Sequence, residues 1–260
     1  MRKILLTSVG VAALAVSANA TDFTLSGTAK VKVADDGNTS VDVSTAIGVS
    51  KTFDNGMVLS LSNNNMTNAG ELTVKSDAIS VTFGDYDQNE KSPGLNGNAA
   101  SADISGDGIT ATSHSNAGAI SLGATVAGLG VGAAMNNDGD TMFGASFTTD
   151  VGGMAVTVGG DVHSDNTSSL DETAMGVKAT IGSLVVVANS VQKEASAGVD
   201  VTTYSAAYTT GGLVIGFQGA DNDASSYSAT YTIVPGMQFE IGSLDNGTTS
   251  TSSAELQMTF

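Results

Sequence analysis

Apolar and polar residues alternate one for one through most of the chain after position 20. Successive side chains of a β-strand point to opposite faces, so a period of two reads as strands with one apolar and one polar side. In the first, Phe23, Leu25, Gly27, Ala29, Val31 and Val33 share a face, and Thr24, Ser26, Thr28, Lys30 and Lys32 share the other. A second runs from Val41 to Phe53, with Val43, Ile47 and Val49 opposed by Ser44, Gly48 and Ser50. It ends on Asp54-Asn55-Gly56, a sequence suited to a tight hairpin. Met57, Leu59 and Leu61 against Ser60, Ser62 and Asn64 make the third. Leu72 and Val74 against Glu71, Thr73 and Lys75 make the fourth, and Ile79, Val81 and Phe83 against Ser80 and Thr82 the fifth.

The alternation stops between Gly84 and Gly118, a stretch carrying Asp85, Asp87, Glu90, Asp103 and Asp107 against the single lysine Lys91. Long connections without a repeat are usually functional or disordered. Beyond it the pattern resumes, with strands expected at 119–127, 130–137, 141–149, 154–164, 172–181, 184–193, 199–210, 213–221, 224–234, 237–245 and 251–260. The total is sixteen; fourteen strands with more relaxed loops also fit. Polar links such as Asn137-Asp138-Gly139-Asp140, Asp165 to Asp171 and Glu194 to Gly198 alternate with tight turns such as Val151-Gly152-Gly153, Gly211-Gly212 and Pro235-Gly236. An even strand count, short turns at one end and longer loops at the other are the plan of an outer-membrane barrel. A spanning strand needs roughly 9–11 residues, and the chain is long enough for sixteen only if most connections are a few residues long. The expected fold class is therefore all-β, a closed antiparallel transmembrane barrel over 21–260, with 85–117 as a third extracellular loop folded inward.

If the polar face lines water, the apolar face must meet hydrocarbon. The polar face is rich in hydroxyl residues and glycine, as a crowded lumen requires, and Tyr204, Tyr208, Tyr227 and Tyr231 are candidates for the membrane boundary. Residues 1–20 read as a secretory signal peptide: Arg2 and Lys3 precede a short apolar core from Ile4 to Val16 and the small-residue site Ala18-Asn19-Ala20. After it, seven basic residues face 26 acidic ones, a net charge of −19. So acidic a chain lacks the basic footprint of nucleic-acid binding. The absence of cysteine excludes disulfides and thiolate metal sites. Only 13% of residues are charged and apolar ones recur throughout, which argues against disorder.

In the final strand Ala254, Leu256, Met258 and Phe260 alternate with Glu255, Gln257 and Thr259. An aromatic last residue with apolar residues two and four positions before it, Phe260, Met258 and Leu256, resembles the assembly signal of bacterial outer-membrane barrels. Phe23-Thr24-Leu25-Ser26-Gly27, the hairpin at Asp54-Asn55-Gly56, Ile79-Ser80-Val81-Thr82-Phe83-Gly84-Asp85 and Gly130-Val131-Gly132-Ala133-Ala134-Met135 are similar to segments of the general porins of alphaproteobacteria, the Rhodobacter type. That resemblance implies sixteen strands, a homotrimer, contact with lipid and lipopolysaccharide, and an inward third loop whose acids face basic residues on the opposite wall. The chain departs from the family in being shorter and in having no Arg after Arg2, so the family's arginine-rich wall has no counterpart.

On this reading Asp85, Asp87, Glu90, Asp103 and Asp107 place negative charge at the constriction. Lys30, Lys32, Lys75 and Lys178 fall on the inward parity and form a basic pore wall. Charged rings in a lumen tune ion selectivity. No cofactor is expected; the acidic loop could hold Ca²⁺, although its spacing matches no calcium motif. Nor is an enzyme expected. Of the two histidines, His163 lies near Asp161, Ser164 and Asp165, which reads as a solvated residue beside a loop. No nonapeptide repeat supports a calcium-binding β-helix. The expected function is passive diffusion of ions and small hydrophilic solutes with a mild preference for cations. The rivals are a solute-selective channel and a non-conducting structural or adhesive barrel.

Overall fold

The computed structural model describes residues 21–34, 39–64, 70–93, 117–166, 171–193 and 200–259. The expected signal peptide, Asp103, Asp107, His114 and Phe260 lie outside the described residues. Sixteen strands are present. The first five are β1 (Thr21–Ala34), β2 (Thr39–Thr52), β3 (Val58–Asn64), β4 (Glu71–Lys75) and β5 (Ile79–Phe83). A 3-10 turn at Asp87–Asn89 follows, then β6 (Ile120–Val126), β7 (Leu129–Met135), β8 (Thr141–Val151), β9 (Met154–Ser164) and β10 (Glu172–Ile181). The last six are β11 (Leu184–Lys193), β12 (Val201–Thr210), β13 (Leu213–Ala220), β14 (Ser225–Val234), β15 (Met237–Asp245) and β16 (Ser250–Thr259).

Each strand pairs antiparallel with its neighbours in sequence, and β1 pairs with β16 from Thr28↔Thr259 to Ala34↔Ser253, which closes the sheet. Closure removes the free edge and leaves no row of unpaired backbone groups. Two-residue turns such as Ala127-Gly128 and Gly152-Gly153, with positive φ at both positions, join strands at one end. That backbone matches the twist of the flanking strands. The connections β1–β2, β3–β4, β5–β6 and so on to β15–β16 lie at the other end and include every long one.

Some strand ends differ from expectation because side chains take the backbone into turns. Strand β7 stops at Met135 rather than 137: Asn136 Oδ1 accepts from the N–H groups of Asp138 and Asp140 at 3.1 and 3.0 Å. Such local acceptors compete with the strand ladder. Asn222 acts in the same way on Ala224 at 3.2 Å, after β13 ends at Ala220.

The two faces separate as the alternation requires. Along β9, Val158 and Val162 are more than half exposed, whereas Asp161 and His163 of the other parity are 2% and 1% exposed. Only the concave side of a closed sheet can bury side chains in this way, so the polar parity is the enclosed one. The outward face carries Val43, Leu61, Leu122, Phe143, Val177, Ile215 and Ile241, all exposed. Tyr204, Tyr208, Tyr227 and Tyr231 share it, and Phe217 bridges two of them, with ring centroids 5.8 Å from Tyr204 and 5.0 Å from Tyr227. Gly219, opposite Tyr204, leaves the space that its ring covers. Among the described residues no helix is long and apolar enough to cross a membrane; strands would have to do it.

A lysine on the lipid face at mid-membrane costs roughly 2–4 kcal/mol. Val158→Lys is therefore expected to lower the unfolding free energy in lipid vesicles by about that much. Ser44→Lys, exposed on the enclosed face of β2 away from the long connection, should cost much less, because lumen positions tolerate charge. Equal losses in urea titrations would contradict the assignment of faces.

Candidate functional site

Where β5 ends, Gly84 turns at φ +93° and its N–H donates to Ala119 O at 2.9 Å, across the base of the long connection. Tyr86 is fully buried in a small apolar cluster with Ala119, Ala134 and Met142. The 3-10 turn then delivers Asn89, whose Oδ1 accepts from Ser80 Oγ and whose Nδ2 donates to Ser121 Oγ, both at 3.0 Å. The backbone N–H of Lys91 donates to Asp161 Oδ1 and Oδ2 at 2.8 and 3.0 Å, and that of Ser92 donates to Oδ2. Asn189 Nδ2 donates to Ser92 Oγ at 3.1 Å and to Pro93 O at 2.9 Å. Residues 86–93 thus lie against the polar face of the sheet, from β5 to β11. Residues 94–116 lie outside the described residues.

The wall is shaped for this segment. Ser80, Gly123, Gly132, Gly144 and Asp161 are directly opposed across β5, β6, β7, β8 and β9. One step along, Gly159, Gly176 and Asn189 continue the row across β9, β10 and β11. A Cβ at Gly132 would collide with Asn89 O, and one at Gly159 with Lys91 O. At Gly176 it would meet Pro93, and at Gly144 the Asp161 carboxylate. Glycine at these strand positions is explained by close backbone approach. The row is a trough, and Asp161 supplies the charged acceptor within it.

Of the five expected constriction acids, three fall in the described part of the connection. Asp85 follows Gly84 and is half-buried, Asp87 opens the 3-10 turn, and the Glu90 side chain is 37% exposed. Glu90 Oε1 lies 3.4 Å from His163 Nε2. His163 is not solvated: it sits on the enclosed parity of β9, 6.0 Å from the Tyr86 ring, and is 1% exposed. Across β10 it faces Glu172, itself buried and 3.1 Å from Lys193 Nζ. Glu90, His163, Glu172 and Lys193 therefore form a run of adjoining ionisable groups above the trough. Single-residue reading found none of its pairings, because the partners come from different strands.

The expected basic wall is dispersed. Lys30, on the enclosed face of β1, makes a 3.1 Å ion pair with Glu255 of β16. Lys32 is opposite Glu255 in register. Lys75 ends β4 at the short-turn rim and is exposed, and Lys178 lies half-buried on the enclosed face of β10. These four span β1, β4 and β10 and do not meet. Lys51 is on the outward face at the short-turn rim, its Nζ 5.4 Å from the Phe53 ring centroid. Among the described residues no group of three or more His, Cys, Asp or Glu side chains could hold a metal ion. Leu256 and Met258 are outward on β16, in register with the closing pair.

No protein-family model matches the chain, and no curated protein matches it. Solved structures do. A substituted Rh. blastica porin, 12% identical, aligns with a TM-score of 0.69 over 92% of this chain and 100% of its own. A structure described as "Asymmetric conductivity of engineered proteins" gives a TM-score of 0.71 at 12% identity over the same shares. A triple mutant of Rhodopseudomonas blastica porin gives 0.69 at 12%. At these identities the likeness is one of fold. The chain is a closed antiparallel barrel of sixteen strands with the architecture of porins.

Removing the Asp161 carboxylate leaves the part-buried N–H donors of Lys91 and Ser92 without their acceptor, at about 1–3 kcal/mol. Asp161→Ala is expected to speed amide exchange at Lys91 and Ser92 by roughly tenfold or more, while exchange in β12 to β14 stays unchanged. Protection retained at both amides would show that the carboxylate does not hold the segment.

Proposed function

We propose that this protein is an outer-membrane porin: a water-filled barrel through which ions and small hydrophilic solutes diffuse passively, without catalysis or energy coupling. In this reading residues 85–117 fold into the lumen and narrow it, and Asp103 and Asp107 join Asp85, Asp87 and Glu90 in placing negative charge there. The observation that carries it is the seating of Asn89 to Pro93 in the glycine trough on the enclosed face. A segment pinned there subtracts from the bore. The acidic excess favours cations mildly, because a negative lumen raises their local concentration. A homotrimer in contact with lipopolysaccharide follows from the resemblance to Rhodobacter-type porins.

Purified protein in planar bilayers tests this directly. The expected result is stepwise conductance with a reversal potential on the cation side in a salt gradient. Deleting Gln88 to Gly108 is expected to raise single-channel conductance and weaken selectivity. An unchanged conductance would place the segment outside the conducting path, and no conductance at all would overturn the channel.

A further inference from the structure

Asn136 and Asp140 bracket the polar turn between β7 and β8, and both are buried although they stand at the end of the barrel that bears the long connections. Asn136 Nδ2 donates to Asp140 Oδ2 at 2.8 Å, while Asn136 Oδ1 accepts from the Asp138 and Asp140 amides. The other carboxylate oxygen, Asp140 Oδ1, accepts from Asn166 N at 3.1 Å, and Asn166 Nδ2 donates to Asp138 O at 3.1 Å. The turn is thereby fastened to the chain leaving β9. On its other flank, Asn137 N donates to Ala117 O at 3.0 Å. Gly118, at φ +63°, packs so closely on the Asn137 side chain that a Cβ there would collide with it. Ala117 to Ala119 form the return limb of the long connection. Ala119 O accepts from Gly84 N at 2.9 Å, and Ala119 packs with Tyr86, Ala134 and Met142.

Resting on the porin reading above, we infer that Asp140 is a positioning residue for the channel: it holds the return limb of the long connection as Asp161 holds the entry limb. Each carboxylate refers its limb to β9. Asp161 stands on that strand and takes the Lys91 and Ser92 amides. Asp140 is tied to Asn166, two residues past the end of β9 at Ser164, and passes the tie through the turn to Asn137 and so to Ala117. The same hairpin carries Ala134 and Met142, opposed in register beneath Tyr86 and Ala119, so a shift of its tip is felt by both limbs. A connection held at one limb alone could pivot about the trough. Held at both limbs by one strand, it enters the bore at a fixed height and slope, and solutes meet an obstacle that stays still. Removing the Asp140 carboxylate strips the acceptor from Asn166 N and Asn136 Nδ2 at a buried site, where losing a hydrogen bond is costly. A residue that merely shapes its own turn would look different. Asn222 Oδ1 accepts from Ala224 N after β13 in a similar local bond, and that turn lies on the far side of β9 to β12 from both limbs.

The test compares wild type, D140A, D140N and N222A by amide exchange and by single-channel recording in planar bilayers. D140A is expected to speed exchange at Asn137, the amide that holds Ala117, by roughly tenfold, while Lys91 and Ser92 keep their protection. In the recordings it should raise open-channel current noise about twofold or more, since a limb that opens locally varies the obstruction. D140N, whose remaining oxygen still accepts from Asn166 N, should give smaller changes in both measurements. N222A should leave both at the wild-type level. Heat-modifiable migration on gels checks that each variant folds. Faster exchange at Asn137 with noise unchanged would reduce Asp140 to a residue of its own turn and overturn the inference. So would unchanged exchange in D140A, or noise in N222A equal to that in D140A; the porin reading stands in all three cases. A wild type that does not conduct overturns the porin reading itself.

Discussion

Backbone hydrogen bonding round a closed sheet is the constraint from which the rest follows. Once β1 and β16 pair, every strand has two neighbours, and the outward face can be wholly apolar because it exposes no unsatisfied amides. Closure also fixes parity: a one-residue slip anywhere would turn a strand's polar face to the outside. It further sets what may enter the interior. A segment lying on the enclosed face cannot pair with a free edge, so its backbone must find side-chain acceptors. Asp161 meets that need for the Lys91 and Ser92 amides, while Asn189 Nδ2 donates to the Pro93 carbonyl.

The strands were legible because alternation is a property of consecutive residues. Glu172–Ile181 and Leu184–Lys193 lie where Met175 and Val177, and then Val186, mark them. The site was legible only in outline. The acidic, unpatterned stretch after Phe83 announced a special connection, but nothing local revealed its seat. Gly123, Gly132, Gly144, Gly159 and Gly176 are scattered over more than fifty positions and become a row only through the register of five strands. Asp161 and His163 looked like loop-proximal polar residues for the same reason. One sign was available: glycine recurs on the polar parity of β6 to β10, where a lumen lined only for water has no need of it.

Electrostatics divides between pairs within the wall and groups that face the gap. Lys193–Glu172 is nearly buried, and Lys30–Glu255 is buried on the acidic side. Pairs of this kind gain little net stability, since desolvation offsets attraction, but breaking one by removing a single partner is costly. The four lysines expected to line the pore lie on three strands, and one of them, Lys30, pairs with Glu255.

The segment is seated by main-chain atoms, the amides of Lys91 and Ser92 and the carbonyl of Pro93, together with the side chains of Asn89, Ser92 and the buried Tyr86. These contacts are separate from the Glu90 carboxylate, which lies 3.4 Å from His163 Nε2. Evolution can therefore rewrite residues such as Glu90 without moving the strap that presents them. The charge that the segment presents and the scaffold that holds it become separable traits.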